Sequence, residues 1–231
     1  MSTKATETAE RPGKKNDQII SYYELRLLIG AAGILLPILL FFGKVVFNGS
    51  PQIEYSISDY YDDGTAGDIL VGVLFALGFF LLSYRGYDAK DSRAANLGCV
   101  FALGVALFPT TSSNDWIHKL HFVFALLLFS VFIFFSIYLF RRSDPRKSCT
   151  KQKETRNRAY LVCGIIMIIC IAGIAVCSFL LEKISAKYHL VFWLESIALV
   201  SFGFSWITKA EFLFWKDPDT EVKKEQLEKG G

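Results

Sequence analysis

The sequence lacks both the charge surplus and the cysteine pattern that several common classes of protein need. Its net charge is only +3, which is too small to indicate a nucleic-acid partner. Four of the five cysteines (Cys99, Cys163, Cys170 and Cys177) lie inside apolar runs, and Cys149 lies in a basic loop. Because no two of them face an oxidising compartment, we expect no disulfide bond and no redox chemistry.

The N-terminal segment also lacks the pattern of a secretory signal. Such a signal places a short apolar core and a small-residue cleavage site soon after a basic start. Residues 1–24 are instead mostly polar and mixed in charge, with Pro12 and Gly13 near the middle. We therefore expect a disordered cytoplasmic tail, a retained first membrane span, and a second cytoplasmic tail at residues 216–231.

Long apolar runs are what the chain does contain. Hydrophobic residues make up 52% of it, and 21 residues are Phe, which exceeds what one water-soluble core of this size would need. The third run has only 15 residues before Pro109, so it must extend into its polar flanks, lie in a thinned bilayer or be shielded by its neighbours. Six candidate spans define a transmembrane domain at residues 25–215: Leu27–Phe47, Ile69–Tyr84, Ala94–Phe108, Ile117–Phe140, Tyr160–Leu181 and Leu190–Thr208.

The basic residues predict how these spans are oriented. With both termini in the cytoplasm, 21 of the 25 Lys and Arg residues lie on the inner side, and only Lys44, Lys119, Lys183 and Lys187 lie outside. Loops rich in Lys and Arg stay in the cytoplasm. The sequence therefore predicts an all-α, polytopic membrane bundle of six transmembrane helices with both termini cytoplasmic, and Trp215 as an interfacial anchor.

This orientation places most of the scarce polar residues near the outer ends of the spans. Asp59 and all three histidines, His118, His121 and His189, lie there. Glu195 lies about six residues into the last span, roughly 9 Å deep at 1.5 Å per residue. A carboxylate in hydrocarbon is costly. We expect Glu195 to face the bundle interior, to be protonated, or to pair with a partner, for which His121, then Ser130 or a backbone group, are the candidates. Alternatively, a neutral Glu195 is a hydrogen-bonding link between helices.

The histidine spacing leaves two interpretations open. His118 and His121 are three residues apart and share one helix face. They could bind one Zn²⁺, with His189 or a loop aspartate as third ligand and water as fourth. Alternatively, they are interfacial residues bonded to water, lipid headgroups or loop carbonyls. The spacing alone is common, and no HExxH motif accompanies it.

Several stretches resemble a family of uncharacterised bacterial integral membrane proteins over about residues 25–210: SISDYYDD, VGVLFALGFFLLSYRGYD, NLGCVFALGVALFPT, HFVFALLLFS and VFWLESIALVSFGFSWITKAE. More distantly, the layout is similar to the DRAM/Frag/Sfk group of six-helix proteins. That group shows an Ile-Ser-Asp stretch after its first span, a histidine early in its fourth span and a glutamate in its sixth. Their matches here are Ile57, Ser58 and Asp59, then His118 or His121, and Glu195.

The resemblance implies a bacterial inner or plasma membrane and a link to lipid organisation. Our first hypothesis is therefore a protein that binds membrane lipids near the outer leaflet. Its polar pocket would contain Ser58, Asp59, His118, His121, His189 and Glu195. A second hypothesis is a zinc-dependent hydrolase of a lipid ester or amide, in which the three histidines hold the metal.

A third hypothesis is an ion or small-solute transporter with Glu195 as a proton or cation site. The sequence leaves open whether the chain forms a homo-oligomer. Gly30 and Gly33 would permit close helix contacts either within one chain or between two.

Overall fold

The computed structural model describes residues 21–85, 89–110, 114–142 and 151–211, and these residues form helices and connecting segments with no strand. Most of the predicted N-terminal tail (residues 1–20) and all of the predicted C-terminal tail lie outside the described residues. Cys149 and Trp215 lie outside them as well. The helices are α1 (Tyr22–Asn48), α2 (Thr65–Ser83), α3 (Ala89–Leu107), α4 (Asp115–Phe134), α5 (Lys151–Phe179), α6 (Glu182–Tyr188) and α7 (Leu190–Lys209). A 3₁₀ turn covers Ser58–Asp62, and a π-helical turn, Phe135–Leu139, continues α4.

Five of these helices are long and apolar enough to cross a membrane. They are α1, α2, α4 with its π-helical continuation, α5 and α7. The predicted all-helical fold is therefore confirmed for the described residues, with five helices that have the length and composition of membrane spans. The third predicted span, Ala94–Phe108, falls within α3 except for Phe108, and the first turns of α3 carry Lys90, Asp91 and Arg93. A sixth span at α3 stays a prediction.

The boundaries of α1 follow from its end residues. Ser21 accepts a hydrogen bond from the backbone N–H of Glu24 at 3.2 Å, and the Glu24 carboxylate accepts one from the N–H of Ser21 at 2.8 Å. This reciprocal pair satisfies two donors that the first turn would otherwise leave unpaired. The helix ends at Asn48, and the next residue, Gly49, has a left-handed φ of 68° that suits glycine.

Small residues bring α1 and α7 into direct backbone contact. A Cβ placed on Gly30 would lie 2.7 Å from the carbonyl oxygen of Gly203, and one on Gly33 would lie 3.1 Å from that of Leu199. Close approach of this kind is how helices gain packing energy in a membrane. Gly30 and Gly33 thus serve a contact within the chain.

The helices are arranged in a ring. Each helix in the order α4, α3, α2, α1, α7, α5 packs against the next, whereas α4 and α5 close the ring through a smaller contact. One end, the histidine end, holds residues 49–64, 108–110, 114–121 and 182–192. The opposite end is filled by a tryptophan cluster, in which Tyr84, Phe135 and Phe140 lie 5.0 to 5.1 Å from Trp206 between ring centroids. The tryptophan cluster therefore packs one end of the bundle tightly, and the three histidines lie at the other.

Candidate functional site

The connection between α1 and α2 is held against the histidine end by one buried cation. Lys44 is only 5% exposed. Its ammonium group pairs with Glu54 and lies 2.8 Å from the Asp63 carboxylate. It also lies 5.6 Å from the ring centre of Tyr60. Burial, with a smaller effect of Asp63, raises the pKa of Tyr60 to about 12, so its phenol is neutral at ordinary pH.

Within this connection, Ser56 and Asp59 fix the 3₁₀ turn that carries Ser58. The Asp59 carboxylate accepts a hydrogen bond from the N–H of Ser56 at 3.1 Å. The Ser56 hydroxyl accepts one from the N–H of Asp59 at 3.2 Å. Serine and aspartate three residues apart commonly pair in this way at the start of a helical turn. Asp59 is thereby held in one orientation.

Glu195 links α7 to the same turn. Its Oε2 accepts a hydrogen bond from the backbone N–H of Ile57 at 2.6 Å. The partner of Glu195 is thus a backbone group just before Ser58, which was one of the candidates, and not the His121 side chain that was the first candidate. Such a bond satisfies one carboxylate oxygen and fixes where the other can point.

His121 lies next to Ser58 and is fully buried. Its Nδ1 lies 2.7 Å from the carbonyl oxygen of Phe108, and its Nε2 lies 2.9 Å from the hydroxyl oxygen of Ser58. Because a carbonyl can only accept, the proton of the neutral ring belongs on Nδ1. Nε2 is then the acceptor, and the Ser58 hydroxyl donates to it.

The other two histidines bond to different carbonyls. His118 is exposed, and its Nδ1 lies 2.6 Å from the carbonyl oxygen of Thr110. His189 sits in a left-handed conformation between α6 and α7, with φ of 52°, and its Nδ1 lies 3.2 Å from the carbonyl oxygen of Glu54. Each of the three histidines therefore joins a loop to a helix end.

This arrangement gives the zinc hypothesis no geometric support. Within the described residues, no three His, Cys, Asp or Glu side chains lie together as a possible metal site. The contacts of His118 and His121 match the other interpretation of the sequence, in which loop carbonyls were among their possible partners.

A cavity of about 720 Å³ lies beside these residues, between α4, α5, α6 and the start of α7. It occupies the place where the ring of helices closes through the smaller α4–α5 contact. Its polar side chains include Tyr55, Ser56, Asp59, His118, Ser178, Glu182 and Glu195, and its apolar ones include Phe122, Leu126, Phe129, Ile171 and Ile174. We call this space the α4–α5 cavity.

A second, smaller cavity of about 60 Å³ lies against Ser58 and Glu195 in the centre of the bundle. Its other walls are apolar and come from α1, α2, α3, α4 and α7, including Leu36, Leu74 and Leu128. Ala125, Phe129 and Glu195 line both cavities. The two spaces are therefore neighbours, separated by the side chains they share. We call the smaller space the inner cavity.

Of the six predicted pocket residues, four line these cavities and a fifth contacts a residue that does. Asp59, His118 and Glu195 line the α4–α5 cavity, Ser58 lines the inner cavity, and His121 bonds to Ser58. His189 is placed beside them through Glu54.

Glu182 and Ser178 on the cavity wall were not predicted, because isolated polar residues at a span end usually face water. Among the apolar residues, nothing in the sequence distinguishes a cavity wall from a lipid-facing surface. Comparison with protein-family models, with curated proteins and with solved structures finds no match.

Proposed function

We propose that this protein is a six-helix protein of a bacterial inner membrane that binds a membrane lipid in the α4–α5 cavity. The observation that carries the proposal is the division of that cavity into a polar part and an apolar part. Carboxylates, hydroxyls and an imidazole lie at the histidine end, and rings and branched aliphatic side chains line the remainder. An amphiphile has the same division between its headgroup and its chains.

The position of the cavity supports access from the bilayer. Its walls belong to α4, α5 and α7, three of the helices able to cross a membrane. It lies between α4 and α5, the neighbouring pair of the ring with the smallest contact. A lipid could enter sideways between these two helices without leaving the membrane, so its chains would not have to pass through water.

We further infer that the cavity lies in the outer leaflet. We infer that α3 crosses the membrane as the sixth span, shielded on both sides, because Gly98 lies against Leu81 of α2 and Val131. Both termini are then cytoplasmic, which agrees with the excess of Lys and Arg on that side. The bacterial assignment rests on the resemblance of residues 25–210 described above.

The charges of the cavity favour a particular headgroup. Asp59, Glu182 and Glu195 contribute carboxylates, and none of the described residues that line the cavity is Lys or Arg. A carboxylate-lined site repels a bare phosphate and attracts an ammonium group. The proposed ligand is therefore a lipid whose headgroup carries a protonated amine.

Bound lipid can be measured by native mass spectrometry of the protein released gently from detergent. Ile174→Trp places an indole inside the cavity wall, and Val176→Trp places the same indole on the exposed face of α5. We expect an amine-containing lipid to remain on the wild type and on Val176→Trp, and at least a fivefold lower occupancy on Ile174→Trp. Equal occupancy in all three proteins would overturn the proposal.

A further inference from the structure

Ser58 and His121 form a pair whose chemistry goes beyond lipid binding. The hydroxyl of Ser58 donates to Nε2 of His121 across 2.9 Å, while Nδ1–H of the same ring donates to the Phe108 carbonyl across 2.7 Å. The second bond fixes both the tautomer and the ring orientation. A hydroxyl that donates to a neutral imidazole held by a second acceptor is the arrangement found in activated nucleophiles.

We propose that Ser58 is a nucleophile and His121 its general base, and that together they cleave an ester-linked acyl chain from the lipid in the α4–α5 cavity. This activity rests on the lipid binding proposed above. It uses no metal site, and its substrate class is an acyl ester whose alcohol part carries the headgroup.

The surroundings of Ser58 suit such a substrate. Its side chain lines the inner cavity, whose walls are otherwise almost entirely apolar. This space meets the α4–α5 cavity at Ala125, Phe129 and Glu195. An ester group at that meeting point would lie beside the Ser58 hydroxyl, with its headgroup toward the carboxylates. The base is protected at the same time, because His121 is fully buried and keeps no contact with bulk water.

The reaction would proceed in two balanced steps. The Ser58 oxygen attacks the ester carbonyl carbon while its proton moves to Nε2 of His121. The C–O bond to the alcohol then breaks, and the alcohol oxygen takes that proton as it leaves, which gives an acyl-Ser58 ester. A water molecule next attacks the acyl carbon and passes one proton to His121. Ser58 recovers that proton as the free fatty acid departs.

A fluorophosphonate with a long alkyl tail reports on this chemistry, because it phosphonylates only activated serine hydroxyls. The full-length protein in detergent is treated with the probe, and the modified peptide is identified by mass spectrometry. We expect one adduct, on Ser58, and no adduct on Ser58→Ala. A control variant, Ser196→Ala, removes a buried serine whose hydroxyl donates to the Phe192 carbonyl of its own helix, and should be labelled like the wild type.

The role of His121 is tested by the rate of labelling. General base catalysis contributes about 10²–10⁴-fold, so His121→Gln should lower the labelling rate at least about a hundredfold. If that variant does not fold, the proposal is tested by whether the wild type carries the adduct on Ser58 and Ser58→Ala carries none.

Absence of an adduct on Ser58 in folded wild-type protein, or an unchanged rate in folded His121→Gln, would overturn the assignment. The lipid-binding proposal is tested separately. It stands if Ile174→Trp lowers lipid occupancy as expected, whatever the serine assay shows, and it falls if wild type, Val176→Trp and Ile174→Trp retain lipid equally.

Discussion

Replacing Gly30 by alanine perturbs the backbone contact between α1 and α7. The added Cβ would lie 2.7 Å from the carbonyl oxygen of Gly203 and 3.1 Å from the backbone nitrogen of Ile207. Both atoms belong to the main chain of α7, so no rotation of a side chain can remove the clash with them. The variant can fold only if α1 and α7 move apart along the contact that also includes Gly33.

The expected cost follows from two opposing effects. Alanine favours a helix over glycine by up to about 1 kcal/mol, and forcing an extra carbon into a packed contact costs about 1–3 kcal/mol. The second effect should win at Gly30, because separating the helices also weakens their neighbouring contacts. Gly72 on α2 provides the control, since a Cβ there meets nothing within 4 Å. Only the helix preference acts at that site, so Gly72→Ala should be neutral or slightly stabilising.

The free energy of unfolding can be measured by reversible titration with SDS in mixed micelles, with helicity as the signal. We expect Gly30→Ala to lie about 1–3 kcal/mol below wild type and clearly below Gly72→Ala. If Gly30→Ala matched or exceeded Gly72→Ala in stability, the close α1–α7 contact would be refuted. The ring order of the helices would then need to be redrawn.

Three other predictions concern the ends of the bundle. Lys44→Met leaves Glu54 and Asp63 without their buried partner and should cost about 1–3 kcal/mol in the same titration, whereas Lys119→Met, at an exposed site, should cost little. Trp206→Ala removes the centre of the tryptophan cluster and should cost about 3–5 kcal/mol. In intact cells, a membrane-impermeant maleimide should label Lys187→Cys above the parent chain, and Lys151→Cys only after lysis; the reverse pattern would invert the topology.

Much of the helical architecture could be predicted from apolar runs alone. The run Ile117–Phe140 matches α4 and its π-helical continuation to within a few residues, since these begin at Asp115 and end at Leu139. The predicted start at Tyr160 is less accurate, because α5 begins at Lys151. Its first two turns are charged and project beyond the apolar segment, with Glu154 and Arg158 paired at 2.6 Å one turn apart. Hydropathy detects the membrane-crossing part of such a helix and misses its polar extension.

The site could be predicted only as a set of residues at one end of the bundle. Orientation and span boundaries were enough to group Asp59, the histidines and Glu195. Their partners could not be predicted, since the carbonyls of Phe108 and Thr110 and the N–H of Ile57 are main-chain groups that every residue carries. The cavity depends on how closely α4 approaches α5, which is set by the packing of the whole ring.

Photocrosslinking with an amine-headgroup lipid that carries a diazirine in its acyl chain tests the central claim most directly. The purified protein is illuminated in lipid nanodiscs, and the crosslinked residues are identified by mass spectrometry. A lipid bound in the α4–α5 cavity should react mainly with Phe122, Leu126, Ile171 and Ile174. Crosslinks spread evenly over other exposed apolar residues, such as Ile38 and Leu82, would contradict a specific lipid site.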